Sequence, residues 1–393
     1  MIEMITRFYR QLFNLIDFTK LDLITFFIFA CLSLFGLLAV ATASLAFSDS
    51  ISGYPLNFFT KQLFHFLLGL LIMFFVITIP MAFWEKIDRW LLSLGLFSLL
   101  LVFVPGIGTE VNGANRWIRI SGFSLQPSEI MKFIIIIYTS GYCVRRLRDI
   151  QSHWFAFFKP SVLVIIVVSL ILLQPDLGTS TVIFGTVLGI LFVAGVQMRQ
   201  FLLVIGIGFL GTLALIYFVP WRWERIISFM NPWEDPYGSG YQLTLSLMSF
   251  ARGNWFGVGI GEGLMKMGYL PDAHTDFIFA VIVEEMGLVT GIVILSLLFG
   301  LCFRTFYLAR QALSRNLHFC FFVGYGVAIL IALHTFINIG VATGLLPTKG
   351  LTLPFISYGG THVLVMCALV GLVLRLDYET KLAMPAVNIS RRA

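Results

Sequence analysis

Long and nearly continuous apolar runs dominate the chain, and polar segments separate them. A helix of roughly 20 apolar residues can cross the hydrocarbon core of a bilayer while bonding its own backbone groups. The runs lack the alternation of barrel strands. The pattern therefore predicts an all-α polytopic membrane protein with about ten transmembrane helices and a large extracytoplasmic loop between helices 7 and 8. The predicted spans are 22–47, 62–80, 87–104, 128–145, 160–175, 177–196, 200–219, 276–303, 318–343 and 354–375.

Residues 1–393 are expected to form one membrane domain. Within it, residues 1–21 are predicted to be a cytoplasmic amphipathic helix along the membrane surface, 220–275 a periplasmic loop and 376–393 a cytoplasmic tail. Ala41-Thr42-Ala43 resembles a signal-peptidase site. The apolar run before it is longer than a typical signal sequence, so we expect an uncleaved span.

Composition excludes a water-soluble globule, because 59% of the 393 residues are hydrophobic and only 12% are charged. The net charge of +6 does not indicate nucleic-acid binding, since the basic residues fall in short loops and mostly on one side of the predicted topology. The positive-inside rule then places both termini in the cytoplasm. The five cysteines show no disulfide or metal-site spacing, and we interpret them as small buried apolar residues.

Three acids lie where a polar loop runs into an apolar helix: Asp276, Glu284 and Glu285. A charge at bilayer depth costs about 2.5–3.5 kcal/mol on insertion scales, so such acids need a reason. At the predicted helix start, the helix dipole favours ionised Asp276 while burial raises its pKa. Asp276 could accept a proton from a hydroxyl, or simply cap the helix. Glu284 and Glu285 point in different directions on an ideal helix, so we expect one to line a cavity and the other to pair with a base.

Other polar residues leave two interpretations open. Lys132 lies three positions after Glu129, so the two could neutralise each other. Asp176 follows a Gln-Pro turn and could cap the next helix. His274 is as consistent with an ordinary loop residue as with a site residue. Lys349 could be exposed or, facing a cavity, could hold a phosphate.

Six short motifs follow one another along nearly the whole chain. They are Asn115-Arg-Trp-Ile118, Gln126-Pro-Ser-Glu129 with Lys132, Gln174-Pro-Asp-Leu-Gly178, Gly240-Tyr-Gln242, Tyr269-Leu-Pro-Asp-Ala-His-Thr-Asp-Phe-Ile-Phe-Ala280 with Glu284-Glu285, and Gly344-Leu-Leu-Pro-Thr-Lys-Gly350 through Ser357-Tyr-Gly-Gly360. Together they resemble the SEDS family (shape, elongation, division and sporulation), and its FtsW division branch more than its RodA elongation branch. Asn254, Val283 and Thr361-His362 depart from the family pattern, which puts local packing in doubt but does not touch Asp276.

The resemblance implies an inverting glycosyltransferase that polymerises lipid II into β-1,4-linked glycan strands for the septal cell wall. It implies a bacterial inner-membrane location, a class B penicillin-binding protein as partner, and contact with other divisome membrane proteins. Asp276 matches the essential acid and would be the general base. Arg116, Lys132 and Lys349 match basic positions that would stabilise the leaving pyrophosphate, alone or with Mg²⁺ or Mn²⁺. The remaining residues predicted to bind substrate are Gln242, His274, Glu284 and Ser357.

Two alternatives of other classes stay open from the residues alone. A lipid II flippase would also be a many-span protein with buried charges. A non-catalytic scaffold for the penicillin-binding protein would need Asp276 only for partner binding.

Overall fold

The computed structural model describes residues 17–111, 114–120, 123–152, 154–348 and 350–383. Three short strands lie between the predicted spans 87–104 and 128–145: β1 (Gly108–Val111), β2 (Ala114–Ile120) and β3 (Phe123–Leu125). The helices, in chain order, are α1 (Leu23–Ala43), α2 (Leu45–Ser52), α3 (Asn57–Thr78), α4 (Met81–Leu101), α5 (Pro127–Arg145), α6 (Leu147–Ser152), α7 (Trp154–Leu173), α8 (Leu177–Val193), α9 (Met198–Tyr217), α10 (Pro220–Met230), α11 (Tyr241–Gly253), α12 (Ile278–Leu313), α13 (His318–Ala342) and α14 (Gly360–Leu382).

Each of the ten predicted spans coincides with one helix, which confirms the all-α membrane class. By length and hydropathy, α1, α3, α12, α13 and α14 can each cross a membrane. The helices α7, α8 and α9 contain shorter apolar stretches, whereas α4 carries charges in its first turns and α5 carries charges near both ends. The large loop between the seventh and eighth spans is present and contains α10 and α11.

Several predicted boundaries are wrong. Helix α12 begins at 278 and runs ten residues beyond the predicted end at 303. Helix α14 begins at 360, six residues after the predicted start at 354, and continues to 382. The cytoplasmic tail from 376 stays a prediction. Two i,i+4 ion pairs stabilise the part of the helix that follows the apolar run. They are Arg375–Glu379 and Lys381–Asp377. Most of the helix predicted over 1–21 and the end of the tail, 384–393, lie outside the described residues.

The small antiparallel sheet was not predicted. No strand was predicted between the spans 87–104 and 128–145, but β2 pairs with both β1 and β3. In β2, Ile118 is buried while Asn115 and Arg119 are exposed, which is the alternation of a strand with one covered face. The sheet places Arg116 beside the turn between α7 and α8.

Helix α12 is broken at Gly287, whose φ of 81° lies in the left-handed region. Around the break, backbone groups of the loop after α11 replace helical hydrogen bonds. Two loop N–H groups donate to helix carbonyls, and two helix N–H groups donate to loop carbonyls. The four bonds are Val258 N to Glu284 O (3.0 Å), Gly259 N to Glu285 O (3.0 Å), Leu288 N to Asn254 O (2.9 Å) and Val289 N to Trp255 O (3.2 Å).

The core of the bundle lies around α13 and α14, which are its most buried long helices. Helix α14 packs along α3, and α12 packs along α13. Lys381 Nζ donates to Lys20 O at 2.8 Å, so the two ends of the described chain lie together, as an even number of spans predicts. Arg304 also binds Asp22 there, which places the start of α12 at the opposite end of the bundle.

We expect Gly36→Ala to destabilise the protein. A Cβ at Gly36 in α1 would lie 2.3 Å from Phe355 O, and backbone cannot move aside cheaply. Overpacking typically costs about 1–3 kcal/mol. The matched control is Gly211→Ala in α9, where a Cβ would meet no atom within 4 Å. Thermal unfolding in detergent should show a lower Tm for Gly36→Ala and an equal or higher Tm for Gly211→Ala. Equal Tm values for both variants would contradict this close packing.

Candidate active site

Asp276 lies in a turn that leads into α12, not in the helix itself. The N–H groups of Thr275 and Phe277 both donate to Asp272 O, at 3.1 and 3.3 Å. Asp272 has a φ of 53°, a left-handed conformation that Asp and Asn tolerate better than most residues. The turn therefore closes on itself just before Ile278, and Asp276 sits outside the spanning helix.

Asn338 holds the backbone of Asp276 from the side. Its Nδ2 group donates to Asp276 O at 2.9 Å and to Leu351 O at 2.5 Å. Because Asn338 is buried on α13, it ties the turn and the segment after α13 to the centre of the bundle.

Ser357 and Tyr358 hold the same turn from a second direction. Ser357 Oγ donates to Thr275 O at 2.7 Å, and Tyr358 N donates to His274 O at 3.0 Å. Gln62 of α3 fixes this segment in turn through Ser357 O, at 3.2 Å. Ser357, predicted to bind substrate, is thus placed where it positions the Asp276 backbone.

The Asp276 carboxylate differs from its backbone in its bonding to the described residues. Among the described residues no donor hydrogen-bonds to its oxygens, although its backbone is held on both sides. A Cβ built on Gly350 would lie 3.2 Å from Asp276 Oδ2, so the carboxylate faces the Gly350 backbone. The structure thus fixes the position of the acid while leaving its oxygens available.

Burial raises the pKa of the partly buried Asp276 side chain to about 7, and the nearby charges of Asp272 and Asp176 add to this rise. Arg116 and Arg225 act in the opposite direction. The sequence left the effects of dipole and burial undecided. In the structure, burial is the largest cause of the shift in the pKa of Asp276.

The two arginines bring separate loops to the acid. Arg116 donates through Nε to Gln174 O at 2.7 Å and through Nη2 to Pro175 O. Arg225 of α10 donates to Thr348 O at 3.5 Å. Asp176 caps α8 by accepting from Thr179 N at 2.9 Å, which confirms the capping interpretation. Two arginines and two aspartates therefore act on Asp276 with opposite effects on its pKa.

Lys132 belongs to a separate, buried polar cluster. Its Nζ lies 2.5 Å from Glu129 Oε1 and 2.9 Å from His334 Nε2, and His362 Nδ1 lies 2.9 Å from Glu129 Oε2. Mutual neutralisation with Glu129 is confirmed. His334 lies one turn before Asn338 on α13, so this cluster supports the helix that holds the Asp276 turn.

Glu284 and Glu285 both bind the loop between α11 and α12. Arg252 Nη1 donates to Glu284 at 2.8 Å, and Lys266 forms a buried ion pair with Glu285. Both glutamates therefore pair with a base, and the expectation that only one of them does is wrong. A Cβ on Gly263 would contact both carboxylates, which shows how closely the loop approaches them. The loop wraps around the broken part of α12 and therefore reaches both side chains.

The remaining predicted site residues are placed as follows. His274 is buried in an aromatic cluster with ring centroids 5.0 Å from Phe47 and from Phe58, and burial lowers its pKa to about 4. Gln242 is half-buried in the first turn of α11. Lys349 lies outside the described residues.

Sequence reasoning missed the supporting roles of Gln62, Asn338 and His334, and did not connect Arg225 with Asp276. Polar residues inside apolar helices were the available signal.

Within the described ranges, no group of three or more His, Cys, Asp or Glu side chains could hold a metal ion. The Mg²⁺ or Mn²⁺ that the resemblance implies stays a prediction.

The family model described as cell cycle protein, covering FtsW, RodA and SpoVE, matches residues 22–382. The chain belongs to this family. It is an integral membrane protein of the SEDS type. It is 42% identical over 362 residues to the probable peptidoglycan glycosyltransferase FtsW of Saccharophagus degradans, covering 92% of this chain and 94% of that protein. Its identity to the corresponding protein of Coxiella burnetii is 44% over 348 residues, covering 88% and 93%.

Two solved structures share the SEDS fold. One belongs to a peptidoglycan synthase complex that coordinates polymerization and crosslinking. It matches with a TM-score of 0.74 and 28% identity, over 92% of this SEDS chain and 98% of that chain. The other is the rod shape determining protein RodA of Thermus thermophilus, with a TM-score of 0.67 and 26% identity over 91% and 96%.

We expect Asp276→Asn to stabilise the protein at high pH. The folded pKa of about 7 exceeds the ordinary value of 3.8, so folding favours the protonated acid. Wild-type stability therefore falls as pH rises from about 4 to 7 and remains lower above that window. Asn cannot ionise and escapes this loss. The Tm of the variant minus that of wild type should be larger at pH 8 than at pH 5; a difference independent of pH would contradict the raised pKa.

Proposed function

We propose that this SEDS protein is a peptidoglycan glycosyltransferase that polymerises lipid II, with Asp276 as its general base. The observation that carries the proposal is a carboxylate whose backbone is held from two sides while its oxygens accept no hydrogen bond from described residues. Family membership and the glycosyltransferase names of its relatives support the same activity.

The reaction needs one base. The 4-hydroxyl of one sugar attacks the anomeric carbon of another, and the bond from that carbon to the polyprenyl pyrophosphate breaks. Attack from the opposite face converts the α-linkage into a β-linkage. The hydroxyl proton passes to Asp276, while the pyrophosphate leaves with the bonding electron pair. A base with a pKa near the working pH suits this transfer.

Arg116 and Arg225 are proposed to stabilise the charge that develops on the pyrophosphate. Both act electrostatically on Asp276. A guanidinium has five N–H donors, so Arg116 can bind two backbone carbonyls and still donate to a phosphate. Lys349, next to Gly350, is proposed to join them. For Lys132 we propose a supporting role instead, because its buried ammonium group pairs with Glu129.

A class B penicillin-binding protein is the proposed partner, with other divisome membrane proteins, in the bacterial inner membrane at the division septum. The similar chain in a complex that coordinates polymerization and crosslinking supports a cross-linking partner. Identities above 40% to FtsW proteins support the division branch. Both termini would lie in the cytoplasm, with Asp276 on the outer side.

Purified protein with its penicillin-binding partner and fluorescent lipid II, in detergent, should produce glycan strands. We expect Asp276→Asn to lower the rate by at least about 100-fold, the smaller end of what general-base catalysis contributes. Asp272→Asn is the matched control. It removes a carboxylate from the same turn, and Asn tolerates the left-handed backbone there.

The possible outcomes separate the alternatives. Wild-type rates with Asp276→Asn would remove the acid from the mechanism. Translocation of lipid II in vesicles without any polymer would indicate a flippase. Loss of the complex in Asp276→Asn, measured by co-purification, would indicate a scaffold role.

The pH dependence of polymerisation should follow the charges around Asp276. Wild-type activity should rise as the acid ionises near pH 7. Asp272→Asn removes a charge that raises the pKa, so its profile should shift to lower pH. Arg225→Gln removes a charge that lowers the pKa, so its profile should shift to higher pH. Measuring kcat/KM between pH 5 and 9 checks both shifts, and shifts in the same direction would contradict the assignment of Asp276 as base.

A further inference from the structure

Two neighbouring cavities lie at the end of the bundle opposite Asp276. One, of about 410 Å³, is lined by residues at the end of α5, in α6 and at the start of α13. The other, of about 470 Å³, is lined by the first turns of α4. Arg145 lines both cavities, so the two are adjacent. Their volumes fall in the range of small-ligand sites.

Basic side chains outnumber acids around these cavities. The first cavity has Arg145, Arg146, Arg148 and His318 against Asp149. The second adds Lys86 and Arg89 against Glu85 and Asp88.

Ion pairing accounts for only part of this charge. Arg145 pairs with Asp88 and Arg146 with Asp149, each at 2.7 Å. Arg148 and Arg89 form no ion pair with any described residue. Each cavity therefore keeps at least one arginine available for an anion.

Exposed apolar side chains adjoin the second cavity. Trp90, which lines it, is 79% exposed, and Leu94 and Phe97 are 61% and 57% exposed. These three residues are spaced four and three apart along α4, so they form one apolar stripe. Exposed tryptophan is typical of the headgroup level of a membrane. An anion in this cavity would therefore sit directly above a surface suited to acyl chains.

We propose that the paired cavities bind an anionic phospholipid whose headgroup carries two phosphates, one in each cavity. Its acyl chains would lie along Trp90, Leu94 and Phe97. The start of α13 favours the same ligand, because no side chain caps its first turn and the helix dipole is positive there. A free phosphate would share the arginine contacts but gain nothing from the apolar stripe.

Native mass spectrometry of the detergent-solubilised full chain tests this proposal, with cardiolipin, phosphatidylglycerol and phosphatidylcholine as probes. Cardiolipin should bind more tightly than the other two. Arg148→Gln and Arg89→Gln should each weaken it about fivefold, the effect of one basic residue near an anionic lipid. The matched control is Arg199→Gln, which removes one exposed arginine at the start of α9 that lines neither cavity.

Three results would overturn the proposal. Equal binding of phosphatidylglycerol would reject the two-phosphate headgroup. Equal weakening by Arg199→Gln would indicate diffuse attraction to the basic surface. Competition by millimolar inorganic pyrophosphate that abolishes cardiolipin binding would indicate a site for free anions. A fold defect in a variant would be detected by its Tm and bypassed with Arg148→Lys, which should retain most of the binding.

Discussion

The break in α12 and its repair by the loop after α11 are the constraint on which the site depends. Lipid supplies no hydrogen bonds, so carbonyl and N–H groups released at Gly287 must find partners within the protein. Residues 254–259 provide them, and Gly253, Gly257 and Gly287 allow the two backbones to approach because a Cβ at any of them would clash with backbone atoms. The ion pairs Arg252–Glu284 and Lys266–Glu285 also hold the loop against the broken part of α12. The loop and the turn carrying Asp276 are thereby fixed to one helix.

Because its turn is fixed, Asp276 can be held in surroundings that disfavour its ionised form. The backbone around Asp276 is held by Asn338 and Ser357, so the cost of burying the acid cannot be relieved by moving it into water. Strain of this electrostatic kind is characteristic of functional sites, where titratable groups are kept away from their ordinary pKa. The stability of the bundle offsets the cost, since the groups that hold the turn extend from α3 and α13.

The sequence predicted the helices well because bilayer thickness forces a length and a composition on every span. It also located Asp276, since an acid at the edge of an apolar run is conspicuous. The sheet around Arg116, the break at Gly287 and the shared loop of the two glutamates escaped prediction. Each depends on contacts between segments far apart in the chain, which local periodicity does not record. For the same reason, Lys132 resembled a substrate contact in the sequence, although His334 and Glu129 enclose it.

The distribution of charge favours chemistry at one end of the bundle over transport through it. A transporter needs polar groups along a path across the membrane. Among the described residues, Lys132 is bonded to Glu129 inside the helices, and Glu284 to Arg252 beside the loop. Asp276, by contrast, precedes the start of α12 and has two arginines near it. The charges within the spans are paired with each other, while Asp276 lies outside the spans. This distribution is consistent with a reaction at the membrane surface that the embedded helices support.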